Sequence, residues 1–176
     1  MLVAADSLTF SEAVNAAMRR LAEDARAVFV GQSVRYDGTA MYASLDGVPM
    51  EQRIEMPVAE DFQMGFCTGL ALMGKIPICL FPRMDFLLLA ANQLVNHLDK
   101  LPQFGWRAKV IIRTVVGPTS PLDAGPQHTQ DHTVAFRAML GRSVGVLSCF
   151  TAEDVTWAYS YAMGSEDSYL VVEHPK

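Results

Sequence analysis

Positive charge is scarce in this sequence and forms no cluster. The 176 residues carry 14 Lys and Arg against 19 Asp and Glu, which gives a formal net charge of −5 at pH 7. A protein that binds the phosphate backbone of DNA or RNA needs a basic patch to neutralise it. The charge balance therefore argues against nucleic acid as a partner.

Long apolar runs are also missing. A membrane-spanning helix needs roughly 20 consecutive apolar residues, and Arg83 and Asp85 flank the longest candidate run. The first residues, Met1-Leu-Val-Ala-Ala-Asp, lack the basic segment and the long apolar stretch of a secretory signal. We expect a soluble, cytoplasmic protein with no membrane partner.

Cysteines are few, and a glycine-rich phosphate loop is absent. Cys67, Cys79 and Cys149 are widely spaced and lie in apolar runs, which predicts buried free thiols in a reducing compartment rather than disulfides or a zinc site. The first predicted strand is followed by Gly31-Gln-Ser-Val, which does not provide the turn of a dinucleotide-binding Rossmann protein. An unrelated Rossmann-like binder is therefore disfavoured.

Strand-like and helix-like segments alternate along the chain. This alternation predicts an α/β fold, a three-layer αβα sandwich with a mostly parallel sheet of about six strands. The length suits one domain, residues 1–176. The predicted strands are 27–31, 53–56, 76–81, 109–116, 144–148 and 168–173; a helix opening with a capping box at Thr9–Glu12 precedes helices 60–73, 84–98, 133–140 and 152–163.

The composition also predicts a subunit interface. Hydrophobic residues make up 51% of the chain and charged residues 19%, which is somewhat more apolar than an average soluble domain.

Three predicted loops interrupt the alternation of strands and helices: 32–52, 102–108 and 117–132. The first and third of them directly follow strands. Ligands of open α/β sheets bind at the carboxyl ends of strands.

Glu60 is the most informative single residue. It follows a short strand and opens an almost uncharged, glycine-punctuated helix. A glutamate at a helix N-terminus can simply complement the helix dipole and satisfy free backbone N–H groups. Alternatively, it is a working acid at the place where α/β proteins hold their ligands. Position alone leaves both interpretations open.

A family resemblance bears on that choice. The spacing of Pro57, Glu60, Gly65, Gly69, Gly74 and Pro77, followed by Ile78-Cys-Leu-Phe81, resembles the beta subunit of the thiamine-diphosphate-dependent 2-oxo acid dehydrogenases. Upstream, Val28-Phe-Val-Gly-Gln-Ser-Val34 and Tyr36-Asp-Gly38 resemble the preceding strand and loop of that family. Downstream, Phe81-Pro-Arg-Met-Asp-Phe86, Gly117-Pro118 and Gln127-His-Thr-Gln130 follow in family order. The resemblance extends from Leu8 to Glu173.

The resemblance implies a role for four residues. Glu60 would hydrogen-bond a ring nitrogen of the cofactor's aminopyrimidine, as both a catalytic and a cofactor-binding residue. Phe86 would present its ring to the pyrimidine, with ordinary core packing as the alternative, and Gln32 completes the cofactor-binding set. His128 would face the reacting centre and assist acyl transfer. Because His128 and His132 are four residues apart, metal binding is a weaker alternative for them, and we expect no metal site in this chain.

The resemblance also implies a partner. The Gly-Asp-Gly motif that helps to hold the Mg²⁺ of thiamine diphosphate in this family is absent, since Tyr36-Asp37-Gly38 lacks the first glycine. A diphosphate-binding alpha-type subunit would therefore supply the Mg²⁺ half of the site, in an α₂β₂ assembly. From the resemblance we further expect a chain without the second, carboxyl-terminal domain of the family's beta subunits.

Some residues depart from the family pattern. Gln32-Ser33 replaces a Glu-Glu pair, Leu87-Leu-Leu89 replaces a more polar segment, and Val116 stands where an arginine often occurs. The leading hypothesis is a dehydrogenase-like subunit that decarboxylates a 2-oxo acid with acyl or aldehyde transfer. The alternatives are a two-subunit decarboxylase, a transketolase-like carboligase and a non-catalytic interaction module.

Overall fold

The computed structural model describes residues 8–118 and 123–175. Residues 119–122 of the predicted loop 117–132 therefore lie outside the described residues. The strands are β1 (Ala27–Gly31), β2 (Arg53–Glu55), β3 (Ile76–Phe81), β4 (Ile111–Val115), β5 (Val144–Cys149) and β6 (Ser168–Glu173). The α-helices are α1 (Phe10–Ala22), α2 (Ala40–Ala43), α3 (Glu60–Leu72), α4 (Met84–Leu87), α5 (Thr133–Met139) and α6 (Ala152–Gly164).

The six strands form a single sheet in the order β2-β1-β3-β4-β6-β5. Every pairing is parallel. Helices cover both faces of the sheet, which confirms the predicted three-layer α/β sandwich. The parallel arrangement places the carboxyl ends of all six strands at one edge, where an open α/β sheet binds its ligands.

Alternate strand residues divide the core into two halves. Ala27 and Phe29 of β1 pack with helices α1 and α6 on one face, whereas Val30 packs with α3 on the other. Ile78 and Cys79 of β3 make the same division. Successive side chains of a strand point to opposite faces, so a strand buried on both faces is apolar throughout. This explains the continuous apolar run of β3.

The first helix begins as the sequence predicts. The Oγ1 atom of Thr9 accepts a hydrogen bond from the backbone N–H of Glu12, and the Glu12 carboxylate accepts one from the N–H of Thr9. This reciprocal pair is a capping box, which confirms the predicted start of the helix.

Among residues 8–118 and 123–175, every helix is too short or too polar to span a membrane.

The predicted helix 84–98 is wrong in its details. It divides into α4, a 3₁₀ turn (Leu88–Ala90), a π-helical segment (Asn92–His97) and a 3₁₀ segment (Leu98–Phe104) that enters the predicted loop 102–108. The buried residues Ala90, Leu94 and Leu98 recur every four positions. Residues four apart lie on the same side of a helical segment, so one side of this irregular segment still faces the core.

The predicted loop 32–52 also contains regular structure. Thr39 caps the short helix α2 by accepting a hydrogen bond from the backbone N–H of Tyr42, 3.1 Å away. The buried guanidinium of Arg53 then donates to the carbonyl oxygens of Val34, Leu45 and Val48. One side chain thus fixes the path of the loop that follows β1.

Candidate functional site

A cavity of about 490 Å³ opens at the carboxyl edge of the sheet. Its walls come from the segments that follow β1, β3 and β4, from the end of β6 and from the start of α1. This volume is within the range of small-molecule sites, which is about 300–1,000 Å³. Ser33, Arg83, Phe86, Val115, His128 and Pro175 are among the residues that line it.

Phe86 and His128 meet at this cavity although they are far apart in sequence. Their ring centroids lie 5.4 Å apart with the planes at 88°, an edge-to-face contact. The Nδ1 atom of His128 is buried and has no hydrogen-bond partner among the described residues. Phe86 is partly exposed to the cavity, so its ring is not simply part of the core.

Gly117 allows the segment carrying His128 to approach the end of β4. A Cβ atom at position 117 would lie 1.9 Å from the carbonyl oxygen of His128 and 3.4 Å from Cδ of Arg83. The first distance is far below any van der Waals contact, so any larger residue would displace His128. The glycine of the Gly-Pro pair is therefore required for this close approach at the site.

Glu60 is buried at the first position of α3, with 6% of its surface exposed. The amide Nε2 of Gln32 donates to Glu60 Oε1 across 3.2 Å. No backbone N–H among the described residues donates to the Glu60 carboxylate, so helix capping by hydrogen bonds does not account for its burial. Glu60 is not among the residues that line the cavity, but Ser33, the neighbour of Gln32, is.

Glu55 shapes the turn that holds Gln32, and sequence reasoning missed it. Its carboxylate accepts hydrogen bonds from the backbone N–H groups of Ser33, Val34 and Arg35, at 2.6, 2.8 and 2.9 Å. Ser33 has a φ of 58°, a left-handed conformation that is uncommon for a residue with a side chain. These bonds stabilise that turn and so orient Gln32 toward Glu60. The sequence feature that could have indicated this role is the carboxylate at the end of strand β2.

Sequence reasoning also missed an ionic network of largely buried side chains at the wall of the cavity. Arg113 of β4 donates to both carboxylate oxygens of Glu173 of β6, from Nε at 2.8 Å and from Nη2 at 3.0 Å. The hydroxyl of Tyr159 donates to Glu173 Oε1 at 2.6 Å, and Nη1 of Arg113 donates to Ser44 Oγ, also at 2.6 Å. The network ties β4, β6, α6 and the loop after α2 together.

The charges of this network stabilise one another. Burial opposes the charge of Arg113, but the Glu173 carboxylate holds the pKa of the guanidinium above its ordinary value. Burial, together with the nearby Glu173 carboxylate, raises the pKa of the Tyr159 hydroxyl well above its ordinary value. Arg113 therefore keeps its positive charge, and Tyr159 remains a neutral donor.

His132 does not share a helical turn with His128, because α5 begins only at Thr133. His132 precedes the helix, and its Nε2 atom is buried without a partner among the described residues. Across residues 8–118 and 123–175, no three His, Cys, Asp or Glu side chains form a group that could hold a metal ion. All three cysteines are free and buried.

His174 is expected to make stability depend on pH. Burial lowers the pKa of its imidazole below the ordinary value of 6.5, although Asp131, 3.8 Å away, opposes the shift. The folded state therefore favours neutral His174, the unfolded chain binds more protons, and stability falls as pH drops below about 6.5. A His174→Phe variant, which keeps a ring against Phe150, should lose less stability than the wild type between pH 7 and 5.5 in urea unfolding. Identical losses would refute this assignment.

Comparisons with known proteins agree with this architecture. Residues 6–176 match the family described as transketolase, pyrimidine binding domain. The chain is 27% identical to the mitochondrial pyruvate dehydrogenase E1 component subunit beta of Chaetomium thermophilum, over 94% of this chain and 44% of that protein. It is 24% identical to the 2-oxoisovalerate dehydrogenase subunit beta of Bacillus subtilis, over 96% of this chain and 53% of that protein.

Solved structures share the fold. A split gene transketolase, described as an inactive beta4 tetramer, superposes with a TM-score of 0.73 at 17% identity, covering 97% of this chain and 52% of that one. Transketolase from Leishmania mexicana gives a TM-score of 0.72 at 15% identity, covering 98% of this chain and 26% of that one. The chain spans about half the length of the curated relatives it matches. It belongs to the family of transketolase pyrimidine-binding domains.

Proposed function

We propose that this chain, residues 1–176, is a single pyrimidine-binding domain that acts as the beta-type subunit of a split thiamine-diphosphate-dependent enzyme. Its substrate would be a 2-oxo acid. The observation that carries the proposal is the buried Glu60, held by Gln32 at the carboxyl edge of the sheet, where Phe86 and His128 also meet. Family membership and the similarity to dehydrogenase beta subunits support it.

The residues at this edge fit the aminopyrimidine half of the cofactor. Glu60 Oε2 has no hydrogen-bond partner within the described residues and could accept one from a ring nitrogen. The Phe86 ring borders the cavity and could stack on the pyrimidine, a contact worth about 0.5–1.5 kcal/mol beyond burial. When bound, thiamine diphosphate supplies the carbon nucleophile and the electron sink for decarboxylation.

The protein side chains would then position and move protons. Gln32 would orient the Glu60 carboxylate through its hydrogen bond to Oε1, and Glu60 would hold or release a proton at its other oxygen. His128, whose Nδ1 is free of protein partners in the described structure, would donate or accept a proton at the reacting carbon. An imidazole suits that task because it transfers protons near pH 7 with little driving force either way.

A separate alpha-type subunit would supply the Mg²⁺ and diphosphate half of the site, in an α₂β₂ assembly. Several large apolar side chains on and beside α3 are exposed, which supports an interface on this face: Val58, Phe62, Met73 and Leu89 are 81%, 59%, 83% and 62% exposed. Contiguous apolar patches on a protein surface commonly mark protein contacts, and the rings of Phe62 and Phe66 lie 6.0 Å apart on α3.

The proposal predicts that thiamine diphosphate binds only to the assembled pair. We would co-express the chain with a partner that carries the Gly-Asp-Gly motif and measure binding by calorimetry with Mg²⁺. Binding by the pair, and by neither subunit alone, is the expected result. A screen of 2-oxo acids would then distinguish acyl transfer, aldehyde release and carboligation by their products. Absence of binding would favour a non-catalytic interaction module, and tight binding to the isolated chain would contradict the half-site.

A further inference from the structure

We propose that Arg83 binds an acidic group of the substrate that is retained when CO₂ is lost. The substrates would therefore be 2-oxo acids that carry a second anionic group. This inference deepens the proposed function and rests on it. It specifies the substrate class, which the family assignment leaves open.

Arg83 belongs to the same wall of the cavity as His128. It follows β3 and directly precedes α4, and its side chain lines the cavity with Phe86 and His128. Its Cδ atom lies 3.4 Å from the point where a Cβ of residue 117 would stand, and the carbonyl oxygen of His128 lies 1.9 Å from the same point. The aliphatic part of Arg83 therefore passes close to the segment that carries His128.

The guanidinium of Arg83 has no counter-ion in the part of the chain that the structure describes. No carboxylate among residues 8–118 and 123–175 lies within 4.0 Å of it. The other arginine on the cavity, Arg113, is already held in a two-pronged contact by Glu173. Arg83 is partly buried at the cavity wall, so its guanidinium is available for a charge-assisted contact with an anion that enters the cavity.

The carboxylate that departs as CO₂ is the wrong partner for Arg83. Its negative charge leaves that group as the C–C bond breaks, so a cation held against it would stabilise the ground state more than the transition state. A second acidic group keeps its charge throughout and is bound equally in both states. Binding through Arg83 would then orient the substrate without opposing the reaction, while apolar walls such as Met41 and Val115 accommodate its carbon chain.

The first test is binding to the full chain alone, read from the ring NMR signals of His128. Two dianionic probes, 2-oxoglutarate with a second carboxylate and 3-phosphonopyruvate with a phosphonate, are compared with the monoanion 2-oxohexanoate. We expect the dianions to bind more tightly, and the tighter of the two identifies the acidic group. Arg83→Gln should weaken dianion binding about tenfold to a hundredfold, Arg83→Lys should retain part of it, and Arg107→Gln, a change at an exposed surface pair, should not affect it.

The second test uses the assembled pair. Arg83→Gln should raise KM for the dianionic substrates by about tenfold to a hundredfold, with kcat and the KM for 2-oxohexanoate little changed. An equal effect on all three substrates, or loss of subunit assembly, would overturn the inference and identify Arg83 as a structural or interface residue. If the pair binds no thiamine diphosphate, the proposed function fails, whereas the binding test on the chain alone still decides the anion site.

Discussion

Replacing Glu60 with Gln should reduce turnover by the assembled enzyme by about a hundredfold to ten-thousandfold, the range for loss of a general acid–base group. Glutamine has nearly the same size and keeps an acceptor for the Nε2 donor of Gln32, 3.2 Å away. It cannot exchange a proton with the pyrimidine. The fold should therefore remain intact while kcat falls. The fall in kcat is measured with a 2-oxo acid that the wild-type enzyme converts, and the fold is checked by circular dichroism and thermal unfolding.

Asp61 offers a matched control for this experiment. It is the next residue in α3, is exposed, and accepts a hydrogen bond from Gln93 across 3.2 Å. Asp61→Asn also removes one carboxylate from the first turn of the helix, so it reproduces any change in the helix-dipole interaction. Its kcat should stay close to that of the wild type. Near-normal turnover by Glu60→Gln would refute the catalytic assignment of Glu60.

Local sequence patterns predicted most of the sheet and the first helix. Strand β3 was predictable because all of its residues are buried and its sequence is therefore apolar throughout. The start of α1 was predictable because the capping box that begins at Thr9 lies within four consecutive residues. The segment after Met84 could not be read in this way. Its π and 3₁₀ turns depend on packing against α3, where Gly65 leaves room for Gln93, whose Oε1 lies 3.3 Å from the position of an added Cβ.

The candidate site shows the same limit at longer range. Glu60 was found because of its position at a strand-to-helix turn, and Phe86 and His128 because of the family resemblance. Their mutual contacts were not predictable, since Gln32 and Glu60 are 28 residues apart, and Arg113 and Glu173 are 60 apart. The register of parallel strands brings such residues together. No local pattern in the sequence encodes that register.

The Arg113 network places buried charges at the wall of the cavity, and burying charge is costly. The side chains of Arg113 and Glu173 are only 5% and 2% exposed. Removing two charges from water costs several kcal/mol per ion, and the two-pronged contact between them offsets this only when all partners are present. The network should therefore respond very differently to the loss of one member and to the loss of both charges.

Arg113→Met should lower the free energy of unfolding by about 3–5 kcal/mol, because it leaves the Glu173 carboxylate buried without its cation. The double variant Arg113→Met with Glu173→Gln should recover much of this loss, since a neutral amide can still accept the hydrogen bond from Tyr159. Urea unfolding of the full chain measures both. Arg107→Met, which removes the exposed pair with Asp167, is the control and should change stability little, because exposed ion pairs contribute little. Two results would contradict this account of the buried charge: a single variant as stable as the control, or a double variant that recovers none of the lost stability. Either would show that an unpaired buried carboxylate is not the cause of the destabilisation.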